Sequence, residues 1–425
     1  MKMRKQWLSV VALSALAMGA VVGCGTSGAT GSSTNTGGST GSNGPVTLNL
    51  GMWSSSPAEK QLVQNQINLF EKSNPNIKVN IQVINGNYLQ AIQPMLASHT
   101  APDIFYVDSS YAPQLEQAGV LMSLDNYIQK DHVDLSAFSP SLLQAFQWKG
   151  QTYGLPKDFN TLALEYNKSL LAKAGISQPP ATWTQFEQDA KALKAKGIAP
   201  LSMPVDVARY YPFIVDAGGS YYDSSTNQAT FTNSANQAGV KFFLDNLHKG
   251  YFVTPQDLGA TWAGPPFAQG KVAMALEGAW LVPFMQQSAP KLQYGVAGFP
   301  SLDGKDANMV YTVSYSMSKF TKHPNSAAKL LFFMTGDQAL QLTADSGLAI
   351  PSRTSEQGLF TQKYPNYQAF IDGVKNAVPY QFGTLGQNFV DAINSATQAG
   401  QLKNLSPAQV LQQAQQTLQS QQQSQ

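Results

Sequence analysis

Residues 46–84, VTLNLGMWSSSPAEKQLVQNQINLFEKSNPNIKVNIQVI, set the fold class. VTLNL (46–50) alternates like a strand, and IKVNIQVI (77–84) does so more clearly, with Ile77, Val79, Ile81 and Val83 on one face. Between them Ser56, Pro57 and Glu59 stand at N-cap, N1 and N3, a capping box with proline in its favoured place. Leu62, Val63, Ile67 and Phe70 supply the buried stripe of that helix, and Asn74-Pro75 ends it. A helix over 88–98 and a strand DIFYV (103–107) follow. Strand, helix, strand, helix, strand predicts an α/β fold with a largely parallel sheet.

The alternation resumes beyond. TLALEYN (161–167) reads as a strand, and ATWTQFEQDAKALKAKG (181–197) as a helix opened by Thr182 and Gln185. VAMALEG (272–278) and YGVAGF (294–299) are later strands. Ala, Leu and Gln fall at helical spacing from about 386 to 421, with a frayed end expected over Gln415–Gln425. From Pro45 onward the chain is too long for one ordinary core and suits two lobes. Charged residues make up 12% of it, about half the usual share. With a net charge of +2 and no basic cluster, nucleic-acid binding has no electrostatic support.

The beginning of the chain addresses it outward. Lys2, Arg4 and Lys5 precede an apolar run from Trp7 to Val22, too short to span a membrane and placed like a secretory signal. Val21, Val22 and Gly23 then lead into Cys24, the only cysteine of the chain. This resembles a bacterial lipobox, in which the Cys24 sulfur takes a diacylglycerol and becomes the new N-terminus. The alternative is a free thiol beside an ordinary cleavage site, a liability on an exported protein with no disulfide partner. Residues 25–44 are small and uncharged, a flexible coil whose ends lie roughly 25 Å apart. A lipid-anchored, extracytoplasmic body on a tether is the expectation.

In open α/β sheets ligands bind beyond the carboxyl ends of the strands. That rule selects Trp53, Ser54 and Ser55 after 46–50, Asp108, Ser109 and Tyr111 after 103–107, and Glu277 with Trp280 after the strand at 272. Rings beside hydroxyls and carboxylates suit a sugar, which offers C–H faces for stacking and hydroxyls for pairing. Trp53 and Trp280 also fit packing roles, Asp108 fits a helix cap, and Glu277 fits an ion pair between lobes. His99, His132, His248 and His323 stand in no metal-ligand spacing, and no nucleophile elbow or phosphate loop appears. No catalytic residue, metal or cofactor is expected. A surface glycosidase would need two facing carboxylates, for which Asp108, Asp158 and Glu277 are the candidates.

The segments 48–82, PDIFYVDSSYAPQLEQAGVLMSLDNYI, YGLPKDFNTLALEYNKSLLAKAG, FAQGKVAMALEGAWLVPFM and SKFTKHPNSAAKLLFFMTGDQALQLTADSGLAIPSR, in this order, resemble the bacterial family-1 extracellular solute-binding proteins. Those are the maltose-binding-protein-like components of ABC importers. The resemblance implies two α/β lobes with a ligand cleft between them, one holding 45–156 and 312–350, the other 157–311 and 351–425. Chain crossings would fall at Leu155–Asp158, Val310–Ser314 and Ile350–Arg353. It implies a non-enzymatic monomer that takes a sugar, an oligosaccharide, and delivers it to a membrane permease. It adds Asp158, Asn160, Arg209, Tyr210 and Tyr315 as ligand contacts and makes Trp280 a stacking residue. A late stacking ring of the family has Leu385 near its place, with Tyr380 and Phe382 just before it. Related two-lobe binders take ferric iron with paired tyrosines, such as Tyr210-Tyr211 and Tyr221-Tyr222, or polyamines with carboxylates and rings. Neutral Ser, Asn and Gln around the proposed cleft favour a sugar.

Overall fold

A computed structural model describes residues 44–54, 57–223, 225–302 and 304–423. The signal-like run, Cys24, the tether, Ser55 and Ser56 lie outside the described residues.

Among the described residues the backbone of the fold is an eleven-stranded sheet. Its strands are β1 (Val46–Met52), β2 (Ile77–Val83), β3 (Ile104–Asp108), β4 (Gly154–Asn167), β5 (Ala199–Ser202), β6 (Phe252–Val253), β7 (Val272–Gly278), β8 (Tyr294–Ala297), β9 (Asn308–Met317), β10 (Ile350–Pro351) and β11 (Ala377–Pro379). The order is β6-β5-β7-β4-β9-β3-β1-β2, with β8 and β10 paired to β4 and β11 to β9. At one end β2, β1 and β3 are parallel, and at the other β7, β5 and β6 are parallel. The middle departs from the largely parallel expectation: β4 is antiparallel to β9 and β7, and β9 to β3. The two long strands run between the two parallel ends in opposite directions, so they can only pair antiparallel.

Each parallel end carries its own core. Leu50, Phe70, Ile92, Phe105 and Leu331 belong to one, and Trp183, Phe213, Phe243, Leu276 and Phe389 to the other. The first helix, α1 (Pro57–Ser73), buries Val63, Ile67 and Phe70 as its periodicity requires. The helix Trp183–Ala195 is capped as its sequence predicts: Thr182 accepts from Gln185 N at 3.1 Å, and Gln185 Oε1 accepts from Ala181 N at 3.0 Å. The helix 386–421 is interrupted at Asn404, whose left-handed backbone (φ 55°) ends Gly386–Lys403 before Pro407–Gln423 begins. The frayed end expected from Gln415 is corrected, because the last helix runs to Gln423 with Val410, Leu411, Ala414 and Leu418 buried along one face. Among the described residues no helix is long and apolar enough to cross a membrane.

Candidate functional site

Strand β4 begins at Gly154, seven residues ahead of TLALEYN, and Pro156, Lys157 and Asp158 interrupt the apolar pattern over that added stretch. Pro156 pairs with Ser314 and Asp158 with Val313, which makes Lys157 the extra residue of a bulge. A proline cannot donate to the ladder, and a bulge re-aims the side chains beside it. Adjacent residues on a regular strand face opposite ways. Here Lys157 and Asp158 both line one cavity and pair with each other.

That cavity has a volume of about 520 Å³. Trp53, just past the end of β1, meets the edges of Tyr88 and Tyr106 with ring centres 4.9 and 5.0 Å apart. Tyr106 in turn meets Tyr315 of β9 at 5.2 Å, and Lys157 Nζ sits 4.6 Å from the Tyr106 ring centre. Glu59, Leu62 and Gln66 enter from α1, Asn160 from β4, and Trp280 with Pro283 from beyond β7. Rings, amides, carboxylates and an ammonium therefore surround one space. Burial raises the Asp158 carboxyl above its ordinary range, and the Lys157 ammonium beside it opposes that rise. Desolvation works against the charge on Lys157, but the neighbouring Asp158 and Glu59 carboxylates hold its pKa above the usual value.

Trp280 stands at the junction of a second ring row. It meets Tyr311 at 5.8 Å, Tyr311 meets Tyr380 at 5.5 Å, and Tyr380 meets Phe382 at 5.6 Å. The indole N–H donates to Glu277 Oε2 at 3.1 Å, and Arg209 Nη2 donates to the same oxygen at 2.8 Å. The structure thus brings Trp53, Asp158, Asn160, Trp280 and Tyr315 onto one cavity, with Arg209 and Tyr380 beside Trp280 and its neighbour Tyr311. Ser54 is half-buried next to Trp53.

Tyr210 and Phe382 are corrected to core residues, and Glu277, Asp108, Ser109 and Tyr111 are not on the cavity wall. Tyr210 is fully buried, stacked on Phe243 at 4.6 Å and bonded through its hydroxyl to Thr397, so it is a core residue. Phe382 is 3% exposed and stacks on Phe389 at 4.3 Å in the same core. Glu277 is fully buried, is paired with Arg209 and is not on the cavity wall. That partner falls within the same expected lobe rather than across the two. Tyr221 is fully buried too, so neither Tyr210-Tyr211 nor Tyr221-Tyr222 presents two open phenols. Asp108 closes a turn, accepting from Ser110 N at 2.9 Å and Ser110 Oγ at 2.6 Å, and burial raises its pKa. Ser109 is 1% exposed, and its carbonyl accepts from Gln381 Nε2 at 3.1 Å. Tyr111 is half-buried, and burial raises its phenol pKa.

Sequence reasoning passed over Glu59, Gln66, Tyr106, Lys157 and Tyr311. Glu59 was legible only as a cap, and Lys157 became visible only through the bulge.

Comparison with known proteins agrees with this architecture. The family profile described as "Bacterial extracellular solute-binding protein" matches residues 53–341. A putative binding protein of Brucella abortus is 29% identical over 288 residues, covering 62% of this chain and 66% of that protein. The maltotriose-binding protein of Pyrococcus abyssi is 26% identical over 254 residues, 58% of this chain and 50% of that one. The chain thus spans less than two thirds of the length of these curated relatives. Among solved structures, an ABC substrate-binding protein from Listeria monocytogenes in complex with cycloalternan superposes with a TM-score of 0.77. It is 23% identical, with 88% of this chain and 98% of that chain covered. The profile spans well over half of the sequence, and the chain belongs to the bacterial extracellular solute-binding protein family.

Proposed function

We propose that this protein is the extracytoplasmic substrate-binding component of an ABC importer, and that it captures an oligosaccharide without altering it. The observation that carries the reading is the cavity of about 520 Å³, with Trp53 and Trp280 on its wall and Asp158, Asn160 and Gln66 among its polar groups. Indole rings offer flat faces for sugar C–H groups, and the amides and carboxylate pair with hydroxyls. The maltotriose-binding relative and the cycloalternan-bound structure support the same ligand class.

The two cores support two lobes, 45–156 with 312–350 and 157–311 with 351–425, hinged where β4, β9 and β10 meet. Trp53 would belong to the first lobe and Trp280 to the second, so one ligand would draw both together. Cys24 would hold the body to the membrane through lipid, leaving the permease to distinguish loaded from empty protein.

Thermal unfolding against a panel of mono- and oligosaccharides tests this. A ligand at 100 times its dissociation constant stabilises the folded state by about 2.7 kcal/mol. Stabilisation by an oligosaccharide such as maltotriose is the expected outcome. Stabilisation by spermidine alone, lost steeply with salt, would replace the sugar with a polyamine.

A further inference from the structure

Glu277 is a fully buried carboxylate with one oxygen engaged by three donors. Oε2 accepts from Arg209 Nε at 3.2 Å, from Arg209 Nη2 at 2.8 Å and from Trp280 Nε1 at 3.1 Å. Oε1 faces the backbone N–H of Ala263 at 3.4 Å. Glu277 therefore reaches the cavity only through its partners. Both of them carry weight there: Trp280 lines the cavity, and the Arg209 guanidinium lies 5.1 Å from the Trp280 ring centre and 5.9 Å from that of Tyr311.

A partly exposed tryptophan is ordinarily free to sample several rotamers. This one is held on two further sides. Its six-membered ring lies against Gly278, where a Cβ would come within 2.2 Å of the indole. Tyr311 meets it edge-on at an interplanar angle of 77°. Hydrogen bonds to a charged acceptor are the strong ones, and a buried carboxylate cannot turn to water instead.

We infer that Glu277 is a positioning residue, which together with Arg209 fixes the Trp280 indole in one orientation before a sugar arrives. This rests on the sugar-binding reading of the cavity. A ring already fixed loses no rotational freedom when the ligand stacks on it, so the benefit appears in affinity. A glutamine in place of Glu277 would still accept from the indole N–H. It would have no charge to hold the guanidinium, so it separates the two roles.

The test uses the full chain with Glu277→Leu and Glu277→Gln, each with and without Trp280→Phe. The difference within each pair isolates Trp280 emission from that of the other tryptophans, and acrylamide quenching reads how freely the ring moves. Calorimetry with maltotriose gives the affinity. Quenching of Trp280 should rise in Glu277→Leu, with glutamine restoring part of the protection. The maltotriose dissociation constant of Glu277→Leu should weaken about tenfold, the effect of a contact no longer preorganised. A folded Glu277→Leu protein with wild-type quenching and wild-type affinity overturns the inference. Where the leucine variant does not fold, Glu277→Gln decides by the same two readouts, because its shape is unchanged. A wild-type protein that ignores maltotriose counts against the sugar reading, while the quenching comparison still decides the orientation of Trp280.

Discussion

Replacing Asn308 by alanine should unfasten the place where the two halves of the sheet join. On one edge strand β4 pairs with β9 through Thr161 and with β8 from Leu164, so on that edge Leu162 falls in a gap, while on the other it faces Gly278 of β7. The Asn308 side chain fills that gap: Oδ1 accepts from Leu162 N at 3.1 Å, and Nδ2 donates to Leu162 O at 2.8 Å. Oδ1 also accepts from Met309 N at 2.8 Å. Both Asn308 and Leu162 are buried, at 2% and 0% exposure, so alanine leaves main-chain groups orphaned rather than returned to water. Each such group costs about 1–3 kcal/mol, so the two on Leu162 together cost about 2–6 kcal/mol. Against a total stability of about 5–15 kcal/mol, that is a large fraction. Urea denaturation followed by far-ultraviolet circular dichroism should show a lower midpoint with an unchanged slope. A shift equivalent to less than about 0.5 kcal/mol, the range of an ordinary surface substitution, would refute the reasoning.

Burial pushes the Glu116 carboxyl up to about 8 from its ordinary 4.5. The folded protein then keeps a proton that the unfolded chain releases, so stability falls as pH rises between those two values. Glu116→Gln should flatten that decline, and unfolding midpoints measured at both ends of the window check it; parallel declines in the two proteins would count against it. Cys24→Ala should release the protein from membranes or leave its signal uncut, as read by fractionation and mass. A variant processed and membrane-held like the natural protein would remove the lipid anchor from the proposal.

The first half of the sheet was legible because β1 and β2 begin with alternation, α1 carries a helical apolar stripe and β3 is a short apolar run. The joining strands were harder. Pro156, Lys157 and Asp158 hide the first half of β4, and a bulge is settled by pairing with a distant strand, which local pattern does not contain. Within the candidate site the outcome divides by periodicity. Val207, Tyr210, Tyr211 and Ile214 fall at i, i+3, i+4 and i+7 of the helix Val207–Asp216, a core stripe that the assignment of Tyr210 to the ligand overlooked. Arg209 lies off that stripe and reaches Trp280. Likewise VAMALEG is apolar on both faces, so Glu277 was bound to be buried with its strand and to need a partner. That its partner is Arg209, 68 residues earlier, follows only from the packing of the helix over the strand.

Capture by closure requires a ligand that touches both sides of the cavity, because a ligand with equal affinity for open and closed forms shifts nothing. Trp53 and Trp280 line the same cavity from the two ends of the sheet. Small-angle X-ray scattering of the protein with and without saturating maltotriose, with the sugar recovered afterwards, tests this directly. A smaller radius of gyration in the loaded protein and intact maltotriose in the recovered ligand are the predicted results. Bound maltotriose with an unchanged radius of gyration, or a cleaved sugar, would contradict it.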